Sequence, residues 1–144
     1  MNIRANSCQA SLLQVINNEL FVEESRFEDN VMTDGGTNGI VAISSKLNLS
    51  KLDVRETKVT NSEDIKADVG FLSIFEGSNV YLGGSNFEQT SGIRSAGIYS
   101  RGRNSILIED SFFKTGQTRE ATGAFLDIEG AKAIQIVSTD FQNN

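Results

Sequence analysis

Three carboxylates have the spacing in this 144-residue chain most able to support chemistry. Glu24, Glu56 and Asp110 share the fifth position of an eight-residue segment that recurs along the sequence, with Glu23, Arg55 and Glu109 beside them. If those segments stack as neighbouring strands, the row places carboxylates about 5 Å apart. That is close enough to hold a hard cation, or to raise a pKa by like-charge repulsion. Gly84 interrupts the row and leaves one adjacent pair, whereas a calcium site takes roughly six or more oxygens. Solvated acidic residues are also what outward strand positions ordinarily carry. The row is therefore a candidate binding site, and no residue is assigned a catalytic or metal-ligating role.

Other chemistries lack their groups. There is no His and a single Cys, Cys8, which removes the usual zinc sets, the Ser-His-Asp triad and the Cys-His dyad. Gly35-Gly36-Thr37-Asn38-Gly39 and Gly83-Gly84 lack the following Lys-Ser/Thr and helix of a phosphate cradle, so they read as turns or bulges. No cofactor is expected. A net charge of −6, with 19 acidic against 13 basic residues, argues against nucleic acid or an anionic membrane surface as partner. The longest apolar runs are a few residues, too short to span a bilayer, and the start MNIRANSCQA has no apolar signal core. One cysteine cannot form an internal disulfide, and Cys8 reads as a small buried residue.

The elements that would position the carboxylates are repeats of roughly 28 residues. The segment Leu20-Phe21-Val22-Glu23-Glu24-Ser25-Arg26-Phe27 aligns with the segments beginning at Leu52, Val80, Ile106 and Ile134. In that alignment Leu20, Leu52, Val80, Ile106 and Ile134 form one interior row, and Val22, Val54, Leu82, Ile108 and Ile136 the next. Phe27, Val59, Phe87, Phe113 and Phe141 form a largely aromatic column, each preceded at two positions by a hydroxyl: Ser25, Thr57, Ser85, Ser111 and Thr139. Strand alternation would point the hydroxyls outward, and a bend would turn them in. They are expected to cap a turn through local backbone hydrogen bonds.

A second segment recurs between these as Gly39 to Ile43, Gly70 to Ile74, Gly97 to Arg101 and Ala124 to Ile128, with Ser11 to Val15 as a weaker first copy. Two successive positions are apolar in it, so alternation leaves either Ile40, Phe71, Ile98 and Phe125 or their neighbours facing out. A corner absorbs them in the favoured reading; an exposed stripe would be a docking surface. The polar stretches after each Phe, such as Glu28 to Asn38 and Lys114 to Thr122, vary most and are the favoured places for binding.

One such unit cannot enclose a core, but stacked units bury a continuous apolar column. The expectation is an all-β chain, a right-handed parallel β-helix of about five coils (9–37, 38–68, 69–95, 96–122 and 123–144) in a single domain, 1–144. No capping element is evident at either end, which suggests a segment of a longer parent chain or a unit that stacks end to end.

Phe27-Glu28-Asp29-Asn30 and Phe141-Gln142-Asn143-Asn144 match a Phe-x-x-Asn motif, and Asn38-Gly39-Ile40 and Ala96-Gly97-Ile98 approximate a Gly-Gly-Ala-Ile motif. On these the chain resembles pectin-lyase-like β-helices, and most closely the repeat regions of polymorphic outer membrane proteins and large microbial surface proteins. The resemblance implies an extracellular or cell-surface location. A non-enzymatic scaffold or recognition element for carbohydrate or protein is the expected function. The alternative is a fragment of a polysaccharide lyase or hydrolase that uses the acidic face.

Overall fold

A computed structural model describes residues 2–3, 12–28, 30–32, 39–59, 71–92, 95–118 and 125–143. They contain no helix, and the strands stack as a parallel β-solenoid of about 4 turns, slightly fewer than the five coils expected. Sheet I stacks Leu13–Ile16, Ile40–Ile43, Leu72–Phe75, Ile98–Arg101 and Leu126–Glu129. Sheet II stacks Glu19–Glu23, Lys46–Ser50, Asn79–Gly83, Ser105–Glu109 and Ala133–Val137. Sheet III stacks Asn2–Ile3, Arg26–Glu28, Asp53–Arg55, Asn86–Glu88, Phe112–Lys114 and Asp140–Gln142. Two-residue strands after each of four sheet III strands form the smaller sheet IV. Every pairing is parallel, joining like elements of successive coils.

The corners explain how a period-2 pattern closes into a coil. Between sheets II and III the chain turns on one residue with positive φ: Glu24 (49°), Lys51 (51°), Gly84 (56°), Asp110 (48°) and Ser138 (48°). Such a left-handed residue breaks the alternation, so the next side chain points inward rather than out. Ser25, Ser85 and Ser111 are accordingly buried. Each donates its hydroxyl to the carbonyl two residues back, on Glu23, Gly83 and Glu109, at 2.8–3.0 Å. The Ser85 hydroxyl also accepts from the backbone N–H of Leu52 at 3.1 Å, and that of Ser111 from Ser85 at 3.2 Å. The hydroxyls are turn caps that also tie one coil to the next.

The second coil departs from the expected alignment. Leu47 and Leu49, not Leu52 and Val54, pair with Leu20 and Val22, and Val54, not Val59, pairs with Phe27 and Phe87. Leu52 takes the hydroxyl position, and Thr57 lies one corner further round, where it still caps the carbonyl of Arg55 at 3.1 Å. Residues 46–59 alternate apolar and polar through two overlapping windows, and Thr57-Lys58-Val59 mimics the Ser-x-Phe ending. Packing decides between them: the inward pair Leu47 and Leu49 is buried at 1% exposure each against the first and third coils.

The core is aromatic along one side. Phe87 stacks on Phe113 at 4.7 Å between ring centres, and Phe113 on Phe141 at 4.9 Å. Where Val54 leaves this column a smaller side chain, the Phe71 ring reaches in from sheet I and meets both Phe27 (5.2 Å) and Phe87 (5.7 Å) edge-on. Phe71 and Phe125 stand one register position earlier than the sequence suggests, opposite Gly39 and Gly97. Leu12, Gly39, Phe71, Gly97 and Phe125 thus alternate large and small. The alternation is obligatory, because a Cβ on Gly39 would lie 2.5 Å from the Phe71 ring. Among the described residues Ile40, Val41, Phe71, Leu72, Ile98, Tyr99 and Phe125 are buried and Leu126 is half-buried, so these positions form no exposed docking stripe.

Candidate functional site

The expected acidic row does not assemble. Glu24 faces Lys51 in the next coil, whose ammonium lies 2.7 Å from the Glu24 carboxylate and 3.4 Å from that of Glu23. Glu56 belongs to the following corner with Gln89, Thr115 and Asn143, where each has positive φ and each N–H from Glu56 to Thr115 bonds a carbonyl of the coil above. Asp110 does share the Glu24 corner, separated from it by Lys51 and Gly84. The misplacement of Glu56 follows directly from the slipped frame of the second coil. The Lys51 hydrogen bond and charge hold the Glu24 carboxyl below the usual carboxylate range, and the same contact pushes the Lys51 ammonium up. This is the electrostatics of an ion pair, opposite to the raised carboxylate that like-charge crowding produces. Among the described residues no group of three His, Cys, Asp or Glu side chains could hold a metal ion, and no helix is long and apolar enough to cross a membrane.

Ion pairing recurs on sheets II and III where the first coil meets the second. Lys46 lies 3.5 Å from Glu19, and Arg26 lies 3.6 Å from Asp53, which also binds Arg55 at 2.7 Å. On sheet III, Glu28, Arg55, Glu88 and Lys114 alternate in sign along one outward row, with Lys114 3.5 Å from Glu88. These charges complement their neighbours along the stack and favour this order of coils.

The described surface instead offers a groove of about 390 Å³ on the outer face of sheet II. Strand alternation puts two outward rows on this face, parallel to the solenoid axis. One wall is Lys46, Asn79, Ser105 and Ala133; the other is Asn48, Tyr81, Leu107 and Gln135. The floor is the strand backbone of Leu47, Val80, Ile106 and Ile134, whose side chains point the other way. Tyr81 folds down along its own strand, so that a Cβ on Gly83 would meet its hydroxyl at 2.2 Å, and the ring buries Gly83. Only Gly at 83 admits that ring. Phe21, on the same row as Tyr81 and two strands away, is 64% exposed and borders a second hollow of about 240 Å³ with Asn48 and Ser50.

The groove polar groups differ from those at the corners. No side-chain hydrogen bond within the described structure engages Asn48, Asn79, Ser105 or Gln135, whereas the corner hydroxyls are all committed to the backbone. Only Lys46 in the groove carries a formal charge, and Glu19 partly neutralises it. Sequence alone missed this site, though the Tyr81-Leu82-Gly83 pattern, an outward aromatic followed by an outward glycine, was its available signal. Of the variable stretches favoured earlier, residues 29, 33–38 and 119–122 lie outside the described residues, as does Cys8. Comparison of the chain with protein families, curated proteins and solved structures gave no match in any of the three.

Proposed function

We propose that this chain is a non-enzymatic β-helix module, a surface scaffold that recognises carbohydrate through the outer face of sheet II. Pectin-lyase-like winding, like that of the repeat regions of microbial surface proteins, and a cell-surface location belong to the same reading. The groove is the observation that carries it. Its volume falls within the range of ligand sites, and it combines ring and aliphatic surface with uncommitted amides and hydroxyls. Such groups both donate and accept hydrogen bonds, as sugar hydroxyls do. Recognition of a protein segment is the second ligand class, and a lyase or hydrolase fragment the competing function. The competing function is disfavoured because the Glu24 carboxylate is paired with Lys51 rather than grouped with Glu56 and Asp110.

The test is retention of the folded chain on immobilised neutral and acidic polysaccharides, with reducing-sugar and unsaturated-product assays on the same panel. Retention without product release is expected. Failure to bind any polysaccharide would refute carbohydrate recognition, and product release would establish the competing enzyme.

A further inference from the structure

We propose that Asn48 is an acceptor for an N-linked glycan whose first sugar settles over the exposed ring of Phe21. Of the asparagines in the chain, only Asn48 opens an Asn-x-Ser/Thr sequence, Asn48-Leu49-Ser50, with no proline between. Such a tripeptide arises readily in a chain rich in Asn and Ser, and the fold decides whether it can serve. Strand alternation turns Asn48 and Ser50 to the same outward face of sheet II, while Leu49 is buried at 1% exposure. A sugar on Asn48 therefore projects away from the core and leaves its packing untouched. Neither side chain makes a hydrogen bond within the described structure, whereas those of Asn18, Asn86 and Asn104 bond Glu19, Asp53 and Ile74.

Phe21 supplies the seat. It lies opposite Asn48 on the neighbouring strand and, at 64%, is the most exposed large apolar side chain among the described residues. Phe21, Asn48 and Ser50 line one open hollow of about 240 Å³, so the ring is within reach of a sugar on Asn48. Covering it with the C–H face of that sugar removes apolar area from water. The transfer draws on a lipid-diphosphate-linked oligosaccharide. A bond forms between Nδ2 of Asn48 and C1 of the first sugar, the bond from C1 to the diphosphate oxygen breaks, the lipid diphosphate leaves, and the amide gives up one proton. The inference rests on the cell-surface location in the proposed function, which takes the chain past such a donor, and not on its carbohydrate ligand. Asn48 also lines the groove, so the modified chain presents a groove shortened at that end.

The experiment is secretion of the full chain behind a leader from a eukaryotic host, with mass spectrometry before and after enzymatic removal of N-glycans. The wild type is expected to carry one glycan, Ser50→Thr to keep it, and Asn48→Gln and Ser50→Ala to lose it. Because the Ser50 hydroxyl makes no hydrogen bond within the described structure, Ser50→Ala folds even if Asn48→Gln disturbs the strand. Removing the glycan should lower the melting temperature by about 2–4 °C in the wild type and leave it unchanged in Phe21→Ala. A secreted wild type without glycan, or a glycan that persists in Ser50→Ala, would overturn the site. An equal melting shift in Phe21→Ala would overturn the seat on the ring. Each of these leaves carbohydrate recognition standing, because that is tested on unglycosylated chain made in a bacterial cytoplasm. Failure of that chain to bind polysaccharide refutes recognition and leaves the modification standing.

Discussion

Replacing Ser85 by Ala measures what the corner hydroxyls contribute. Ser85 is 2% exposed, and its hydroxyl makes two bonds, donating to the Gly83 carbonyl at 3.0 Å and accepting from the Leu52 N–H at 3.1 Å. The two losses are unequal. The Gly83 carbonyl keeps the N–H of Lys51 at 2.8 Å, so it remains satisfied. The Leu52 N–H, buried at a 2% exposed residue, is left without its acceptor, and an orphaned buried donor costs about 1–3 kcal/mol. Ser85→Ala is therefore expected to destabilise by about 2 kcal/mol. Thr139→Ala is the control, because that hydroxyl only donates to Val137, whose carbonyl also accepts from Asp110. Its cost should stay below about 0.5 kcal/mol, as for ordinary surface substitutions. Urea denaturation gives both values, and hydrogen exchange at the Leu52 amide should quicken in Ser85→Ala alone. Equal costs for the two substitutions, or an unchanged Leu52 amide, would refute the coil-to-coil role of the hydroxyl.

Gly116→Ala should destabilise by about 1–3 kcal/mol, because its Cβ would lie 2.6 Å from the Phe125 ring tip. Phe125→Leu in the same chain should recover part of that loss, and a double-mutant cycle with no coupling would contradict the packing. At Glu56, where φ is 48°, Val should cost about 1–2 kcal/mol more than Gly in thermal unfolding, since β-branched side chains strain the left-handed region. The Glu24–Lys51 pair gives a signed pH dependence. The depressed Glu24 pKa contributes stability above its unfolded value, lost as pH falls through the folded one. The raised Lys51 pKa contributes below its unfolded value, lost as pH rises through the folded one. Lys51→Gln should thus lower the urea midpoint slightly near neutral pH and converge with the wild type in acid or high salt. A difference undiminished in acid would contradict the pairing.

Most of the architecture was legible because stacking imposes column identity: four of five copies kept Leu/Val/Ile pairs, a hydroxyl and a Phe in one frame. The second coil was not, and the reason is local. Leu52 replaces the hydroxyl and Val54 the Phe, while Thr57-Lys58-Val59 offers a decoy of the same form. The frames are told apart by the burial of Leu47 and Leu49 between the neighbouring coils and by the Phe71 ring, which fills the space beside Val54 from another sheet. One slipped frame was enough to create the apparent row Glu24, Glu56 and Asp110. The groove on sheet II was hidden for a different reason. Alternation marks Asn48, Tyr81 and Leu107 as outward, but the hollow depends on Tyr81 lying down over Gly83, a rotamer choice that no periodicity encodes.

The coil register underlies both the loss of the acidic row and the continuity of the groove, and paired cysteines test it directly. In a Cys8→Ser background, Glu23→Cys with Ser50→Cys places the two residues opposite each other on adjacent strands of sheet II. Their Cα atoms lie about 4.8 Å apart, within the roughly 4.4–6.8 Å that a disulfide spans. Glu23→Cys with Arg55→Cys represents the slipped frame, and here Arg55 lies in sheet III opposite Glu28. Mild oxidation should join Cys residues at 23 and 50 in the folded protein and leave those at 23 and 55 as thiols. Bridging of 23 to 55 with 23 and 50 unreacted would contradict the register, and with it the groove.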